Sequence, residues 1–147
     1  MTKLKVKKLR TNVTLPEKAH ATDAAFDLRA STITYDFLKG QIKVGTGIAV
    51  QPEPGYYCEV FPRSSVSKMK LQLANSVGII DPDYTGEIIL VFDYLSDGYN
   101  TMFGLIEEGD RIGQLIVKKL EPIELEEVTE LDATKRSDGG FGSTGVK

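Results

Sequence analysis

The sequence predicts one all-β domain, either a sandwich or a barrel, and three observations support that class. The chain has 147 residues. A chain of this length suits a single domain, which buries roughly 70% of the surface that the unfolded chain exposes. Short runs of β-branched and aromatic residues recur between turn sequences. Hydrophobic residues at 41% and charged residues at 27% are ordinary values for a folded domain.

Six runs predict strands, at residues 4–9, 26–31, 41–50, 56–61, 87–92 and 114–120. In the first run, LKVKKL, leucine and valine alternate with lysine, as in a strand with one face in water. The separating sequences PEPG, DPDYTG and SDG carry the proline, glycine and aspartate that chain reversals require. We interpret the acidic stretch ELEEVTELD as an exposed edge strand or a connector.

Only the segment at 64–73, SSVSKMKLQL, has a helical pattern, with valine, methionine and leucine on one side. The pattern predicts at most two turns, with a serine as N-cap. Arg63, Ser64 and Ser65 would then lie at the start of the helix. Free backbone N–H groups, hydroxyls and a guanidinium could bind a phosphate there. The alternative is a plain serine cap beside a surface arginine.

Charge and composition exclude several classes of function. The formal net charge of −3 gives no general attraction to a nucleic-acid backbone. The sequence has no apolar signal region and no window close to the ~18 apolar residues of a membrane span. We therefore expect a cytoplasmic protein without nucleic-acid or membrane partners. The single cysteine, Cys58, predicts a buried thiol, and one histidine, His20, is insufficient for a histidine metal site.

The stretch at 75–88, NSVGIIDPDYTGEI, predicts a hairpin with polar residues where a strand core would be apolar. Asp81 could activate a water molecule as a general base, or it could simply help to form the turn. Asn75 carries both a donor and an acceptor for the edge of a nucleic-acid base.

From Lys135 onward the chain has no core-forming pattern, so we divide it into a barrel domain at 1–134 and a glycine-rich arm at 135–147. The arm matches G-x-G-x-x-G literally but lacks the flanking strand, helix and acidic residue of a dinucleotide site. Glycine backbone can still wrap around phosphate oxygens. Arg136 could pair with a phosphate and Phe141 could stack on a base. The alternative is a disordered tail.

Five segments, in order and across nearly the whole chain, resemble the five motifs of the trimeric dUTPase (dUTP diphosphatase) family. They are ATDAAFDLRA, PRSSVSK, NSVGIIDPDYTGEI, DRIGQLIV and RSDGGFGSTG. The resemblance implies a distorted jelly-roll β-barrel that assembles as a homotrimer, with active sites shared between subunits. It implies Mg²⁺-dependent hydrolysis of dUTP to dUMP and pyrophosphate, which keeps uracil out of DNA and supplies dUMP for dTMP synthesis.

The resemblance also implies roles for the residues of the third motif. Asp81 matches the aspartate that activates the water attacking the α-phosphorus. Tyr84 matches the tyrosine that packs beneath the deoxyribose and leaves no room for a 2′-hydroxyl. Asn75, with the backbone around Gly78 and Ile80, matches the element that reads uracil.

The other motifs supply the expected phosphate ligands. Arg63 and Ser64, with Ser65 beside them, match the ligands at the helix start, and Gln114 matches a glutamine that contacts the phosphate chain. Asp27 matches an aspartate that organises Mg²⁺ through water, the ion itself lying on triphosphate oxygens.

In the arm, Arg136 and Ser143 resemble γ-phosphate ligands, and Phe141 resembles the aromatic residue that covers uracil. Gly142 belongs to the same expected binding segment. The resemblance implies that the arm closes over a site formed by two other subunits and opens again for product release.

The first motif departs from the family pattern, because Ala25 and Phe26 stand where glycine and tyrosine are usual. Alanine is strained at positive φ, so we expect a different local turn there.

Two alternative functions compete with this one. A dCTP deaminase, which resembles this family in fold, would need a glutamate where Val91 stands, and valine cannot transfer protons. The alternative from another class is a nucleotide sensor that keeps the fold and signals through a regulatory protein partner.

Overall fold

The structure, a computed structural model, describes residues 2–95 and 99–139. Its regular elements are ten β-strands and two short 3₁₀ helices, Ser64–Met69 and Tyr99–Met102. The strands are β1 (Leu4–Lys8), β2 (Phe26–Arg29), β3 (Thr32–Asp36), β4 (Gln41–Gly45), β5 (Ile48–Pro52), β6 (Tyr56–Pro62), β7 (Leu71–Leu73), β8 (Gly78–Ile80), β9 (Ile89–Tyr94) and β10 (Arg111–Lys119).

The strands form two four-stranded sheets and one two-stranded sheet, and every pair is antiparallel. The strand orders are β2-β10-β6-β8, β3-β4-β9-β7 and β1-β5. This is the jelly-roll arrangement that the resemblance implied, and the all-β prediction is confirmed. No helix of the described ranges is long and apolar enough to cross a membrane.

The core consists of the inward-facing residues of these strands. In β4, Ile42 and Val44 are buried while Lys43 between them is exposed. Leu90 and Phe92 of β9 are also buried. Each large side chain of this kind contributes about 1.5–3 kcal/mol through burial. Cys58 is a buried free thiol, as predicted, and burial raises its pKa to about 11.

The predicted strand at 41–50 is two strands, β4 and β5. The chain turns at Thr46 and Gly47, where Gly47 has a φ of +70° and a Cβ would lie 2.4 Å from Val13 Cγ2. The apolar alternation continues through the turn, which is why the sequence suggested one strand. The sequence also missed β3, whose pattern TITYD is only partly buried.

The predicted helix at 64–73 is shorter than expected. The 3₁₀ helix ends at Lys70, which has a φ of 52°, and β7 follows and pairs with β9. The serine cap was wrong, because Arg63 is the N-cap residue and no side-chain hydrogen bond caps this helix.

The segment at 75–88 does not form a two-stranded hairpin. β8 pairs with β6, whereas β9 pairs with β4 and β7. The segment therefore passes from one four-stranded sheet to the other. The stretch at 124–132 contains no strand and its residues are exposed, as expected for a connector.

Candidate active site

One group of predicted site residues lies on the sheet β2-β10-β6. Gln114 of β10 is directly opposite Asp27 of β2 and Phe61 of β6. Residues that are directly opposite in neighbouring strands project from the same face of a sheet. All three line a cavity of about 710 Å³, which we call the large cavity.

Two arginines hold the carboxylate of Asp27 in the large cavity. Arg63 Nε lies 2.9 Å from Oδ1, and Arg111 Nη1 lies 3.2 Å from Oδ2. The Asp27 side chain is only 12% exposed. The closest contact of this pair is through Arg63 Nε, and neither Nη group of Arg63 makes a hydrogen bond among the described residues. Its guanidinium is therefore oriented by Asp27 and can still bind an anion.

The neighbours of Arg63 complete this side of the cavity. Ser64 lines the large cavity, whereas Ser65 is exposed and does not. Gln114 Nε2 donates to the carbonyl of Pro62 at 3.1 Å, which fixes its amide and leaves the amide oxygen available. Ser76, with a φ of 61°, also lines the cavity.

The aspartate of the first motif, Asp27, lines the large cavity together with Ala25. Ala25 does not have a positive φ. Phe26 does not line the large cavity. The Phe26 ring instead contacts Lys18, whose Nζ lies 5.0 Å from the ring centroid.

A second group of predicted residues lines a separate cavity of about 260 Å³, which we call the small cavity. The predicted residues that line it are Asn75, Gly78, Ile80, Asp81 and Tyr84. It lies where the chain leaves β8 and before it enters β9. The side chains of Asn75 and Asp81 are exposed and make no hydrogen bond within the described part of the chain.

The loop at 81–88 has a defined internal structure. Tyr84 N donates to Asp81 O at 3.1 Å, which closes a turn. The Tyr84 hydroxyl donates to Glu87 O at 2.9 Å. The Tyr84 ring packs against Gly86, and a Cβ at residue 86 would lie 2.6 Å from the Tyr84 hydroxyl oxygen.

The Glu87 carboxylate anchors this loop. It accepts two hydrogen bonds from Arg10, at 2.7 and 3.1 Å, and one from Gly47 N at 2.7 Å. Hydrogen bonding from Arg10 is the main cause of the lowered pKa of Glu87. Arg111, Arg10 and Glu87 were not assigned to the site from the sequence. Arg111 does lie in the quoted segment DRIGQLIV, which was the available signal.

The structure does not bring all predicted residues together on one chain. Within residues 2–95 and 99–139, no residue lines both cavities. Arg136 lines neither of them, and its Nε donates to Gly139 O at 2.8 Å. Phe141, Gly142 and Ser143 lie outside the described residues.

An oriented arginine, hydroxyl and amide groups in one cavity and an unpaired carboxylate in the other are groups that a hydrolase of phosphorylated ligands would use. Comparison of the sequence with known protein families identifies the family. The dUTPase family model matches residues 11–145, so the chain belongs to the dUTPase family. This enzyme is a dUTP nucleotidohydrolase.

Individual relatives agree with this assignment. The deoxyuridine 5′-triphosphate nucleotidohydrolase of Corynebacterium glutamicum is 41% identical over 143 residues, which is 97% of this chain and 94% of that protein. The enzyme of Solanum lycopersicum is 36% identical, over 97% of this chain and 81% of that protein. Among solved structures, the Staphylococcus bacteriophage 80alpha dUTPase with dUPNHPP is 28% identical with a TM-score of 0.82, covering 98% and 99% of the two chains.

Proposed function

We propose that Asp81 is the general base of dUTP hydrolysis. Its carboxylate takes a proton from water, the water oxygen forms a bond to the α-phosphorus, and the bond from that phosphorus to the bridging oxygen breaks. The products are dUMP and pyrophosphate. The observation that carries this proposal is that Asp81 is exposed at the mouth of the small cavity with no side-chain partner among the described residues. A base must have a free lone pair directed at the reacting water.

The triphosphate would bind in the large cavity. Arg63 presents two unused Nη groups there, while its Nε is fixed by Asp27. Ser64 and the amide of Gln114 add neutral groups, and Ser65 lies next to them at the helix start. Because the guanidinium is already oriented, little ordering is required when a phosphate binds.

The nucleoside would bind in the small cavity. Asn75 and the backbone of Gly78 and Ile80 have the donors and acceptors to read the edge of uracil. The ring of Tyr84 would support the deoxyribose, in a position where a 2′-hydroxyl would collide with it. Such a surface would make kcat/KM for UTP roughly a hundredfold lower than that for dUTP.

We infer that each complete site is formed between subunits of a homotrimer. The inference is supported by the division of the predicted residues between two cavities with no lining residue in common. A second chain would bring its large cavity to the small cavity of the first. The arm of a third chain would add Arg136, Phe141, Gly142 and Ser143 and would cover the nucleotide.

Magnesium fits this arrangement as an ion carried by the substrate. No group of three or more histidine, cysteine, aspartate or glutamate side chains forms a metal site within residues 2–95 and 99–139. Mg²⁺ often binds through substrate phosphates, waters and one or two carboxylates. Both oxygens of Asp27 are paired with arginines, so Asp27 would hold the ion through water. When bound, the ion would neutralise charge on the phosphates.

A second role in signalling has one supporting observation. The phage 80alpha dUTPase is described as controlling transfer of virulence genes by a proto-oncogenic G protein-like mechanism. We propose that this chain could use a protein partner in the same way, in addition to catalysis. Affinity capture with and without dUTP tests the idea. Capture of a protein that depends on nucleotide would support it, and identical capture in both conditions would contradict it.

The direct test of the main proposal is pyrophosphate release from dUTP, dTTP, dCTP and UTP, each with Mg²⁺. We expect rapid release from dUTP alone. Comparable release from UTP would contradict the role of Tyr84, and release from dTTP would contradict the reading of uracil.

A further inference from the structure

Three segments of the chain meet at the Glu87 carboxylate. Glu87 lines the small cavity but is not among the groups proposed to contact substrate. Arg10 comes from the loop after β1, Gly47 from the turn between β4 and β5, and Glu87 from the loop before β9. We propose that Arg10 and Glu87 form a latch that orients Tyr84 and thereby sets the preference for deoxyribose over ribose. This inference rests on the role proposed for Tyr84.

The first step of the argument is that Glu87 is held at both its side chain and its main chain. Its carboxylate accepts two hydrogen bonds from the Arg10 guanidinium, in a bidentate pair, and a third from Gly47 N. Its side chain is 19% exposed, so these charge-assisted bonds are partly shielded from water. The next residue, Ile88, donates to Ile48 O at 2.9 Å.

The second step is that Arg10 is itself placed by the backbone. Leu9 N donates to Gly47 O at 2.8 Å, which brings Arg10 next to the turn that also binds Glu87. A planar guanidinium that engages both oxygens of a carboxylate fixes distance and direction together. Glu87 therefore cannot rotate without breaking bonds to two other segments.

The third step connects the latch to Tyr84. The Tyr84 hydroxyl donates to the main-chain oxygen of Glu87, so a fixed Glu87 backbone fixes the outer end of the tyrosine ring. Gly86 leaves the space that the ring occupies, because a Cβ there would meet the hydroxyl oxygen at 2.6 Å. The ring is therefore held at its hydroxyl by Glu87 and has room only because residue 86 is glycine.

The inference predicts a loss of sugar discrimination when the latch is opened. The measurement is the ratio of kcat/KM for dUTP to kcat/KM for UTP, in the full chain with Mg²⁺. Arg10→Ala and Glu87→Gln should each lower this ratio about tenfold, mainly by improving UTP as a substrate, since a mobile ring rejects the hydroxyl less well. Arg10→Lys should recover part of the ratio, because lysine restores charge and one hydrogen bond.

Two further variants test the connection itself. Gly86→Ala leaves the latch intact and displaces the ring, and it should lower the ratio to a similar extent. The double variant of Arg10→Ala and Glu87→Gln should be no worse than either single variant, because both remove one interaction. Lys119→Ala is the matched control, since Lys119 pairs with Glu121 at 3.2 Å on an exposed surface. It should leave the ratio unchanged.

The outcomes separate this inference from the proposed function. If Tyr84→Ala lowers the ratio but the latch variants do not, the latch is overturned and the role of Tyr84 stands. If Tyr84→Ala leaves the ratio unchanged, both are overturned. Thermal unfolding of each variant is measured in parallel. A variant that unfolds more easily but keeps the wild-type ratio would show that the pair only stabilises the fold, and would also overturn the latch.

Discussion

The two cavities differ in how far their polar groups are already engaged. In the large cavity, Asp27, Arg63 and Arg111 form a continuous ion-paired network across two strands and the end of a third. In the small cavity, the side chains of Asn75 and Asp81 make no hydrogen bond within the described residues. The large cavity thus has the pre-oriented groups that an anion would need, and the small cavity presents unpaired groups that a ligand and a water molecule could use. In the proposed function, binding of the triphosphate and proton transfer are therefore carried out by different parts of the chain.

The strongest test of this comparison removes the open carboxylate. Asp81→Asn should lower kcat by roughly a thousandfold, because general-base catalysis contributes about 10²–10⁴. The KM should change little, since the network around Arg63 is untouched. Steady-state kinetics with binding of a non-hydrolysable dUTP analogue gives both quantities. A variant with near-normal turnover would contradict the assignment of the base.

Truncation after Thr134 removes the arm and leaves both cavities in place. We expect activity to fall about a hundredfold, because an uncovered site admits water and loses the contacts of the closed arm. Light scattering should still report a trimer. An unchanged rate would show that the arm has no part in catalysis.

Loss of the oriented guanidinium should have a smaller effect. Arg63→Ala should lower kcat/KM by roughly tenfold to a hundredfold, as expected for one charge-assisted hydrogen-bonded contact of about 1.5–3 kcal/mol. Arg29→Ala is a matched control, because Arg29 pairs with Glu17 at 2.9 Å and does not line either cavity. Equal losses in the two variants would contradict the special role of Arg63.

The smallest expected effect concerns pH and stability. The pKa of Glu87 lies below its ordinary value of 4.5, chiefly through hydrogen bonding from Arg10, with the N–H of Gly47 and the charge of Lys43 adding to it. Glu87 therefore contributes stability fully above pH 4.5 and loses it as the pH falls through the lowered pKa. The unfolding temperature of the wild type should decrease more steeply below that pH than that of Glu87→Gln. Parallel pH profiles would contradict this.

Much of the fold could be predicted because strand patterns and turn residues are local signals. Each of the six predicted runs overlaps at least one strand, and Cys58 is buried as its apolar neighbours indicated. The division between β4 and β5 could not be predicted, because the close approach of Val13 to Gly47 is a tertiary contact. The same holds for β7, whose pairing with β9 overrides the helical pattern that the sequence suggested for residues 71–73.

The site was predicted from motifs, which name residues but not their partners. The register of β10 against β2 shifts between Arg111 and Gly113. No local pattern reveals that shift, so the pairing of Arg111 with Asp27 was missed. The latch was missed for a similar reason, since Arg10 and Glu87 are 77 residues apart.

The central claim is that Asp81 of one chain and Arg63 of another serve the same site, and subunit mixing tests it most directly. Asp81→Asn and Arg63→Ala subunits are unfolded together in equal amounts and refolded into mixed trimers. If sites are shared, about a quarter of them combine an intact Asp81 with an intact Arg63, so the mixture should be roughly threefold to 25-fold more active than the Arg63→Ala parent and far more active than the Asp81→Asn parent. If both residues of a site come from one chain, no intact site forms, and a mixture no more active than its parents would contradict the account.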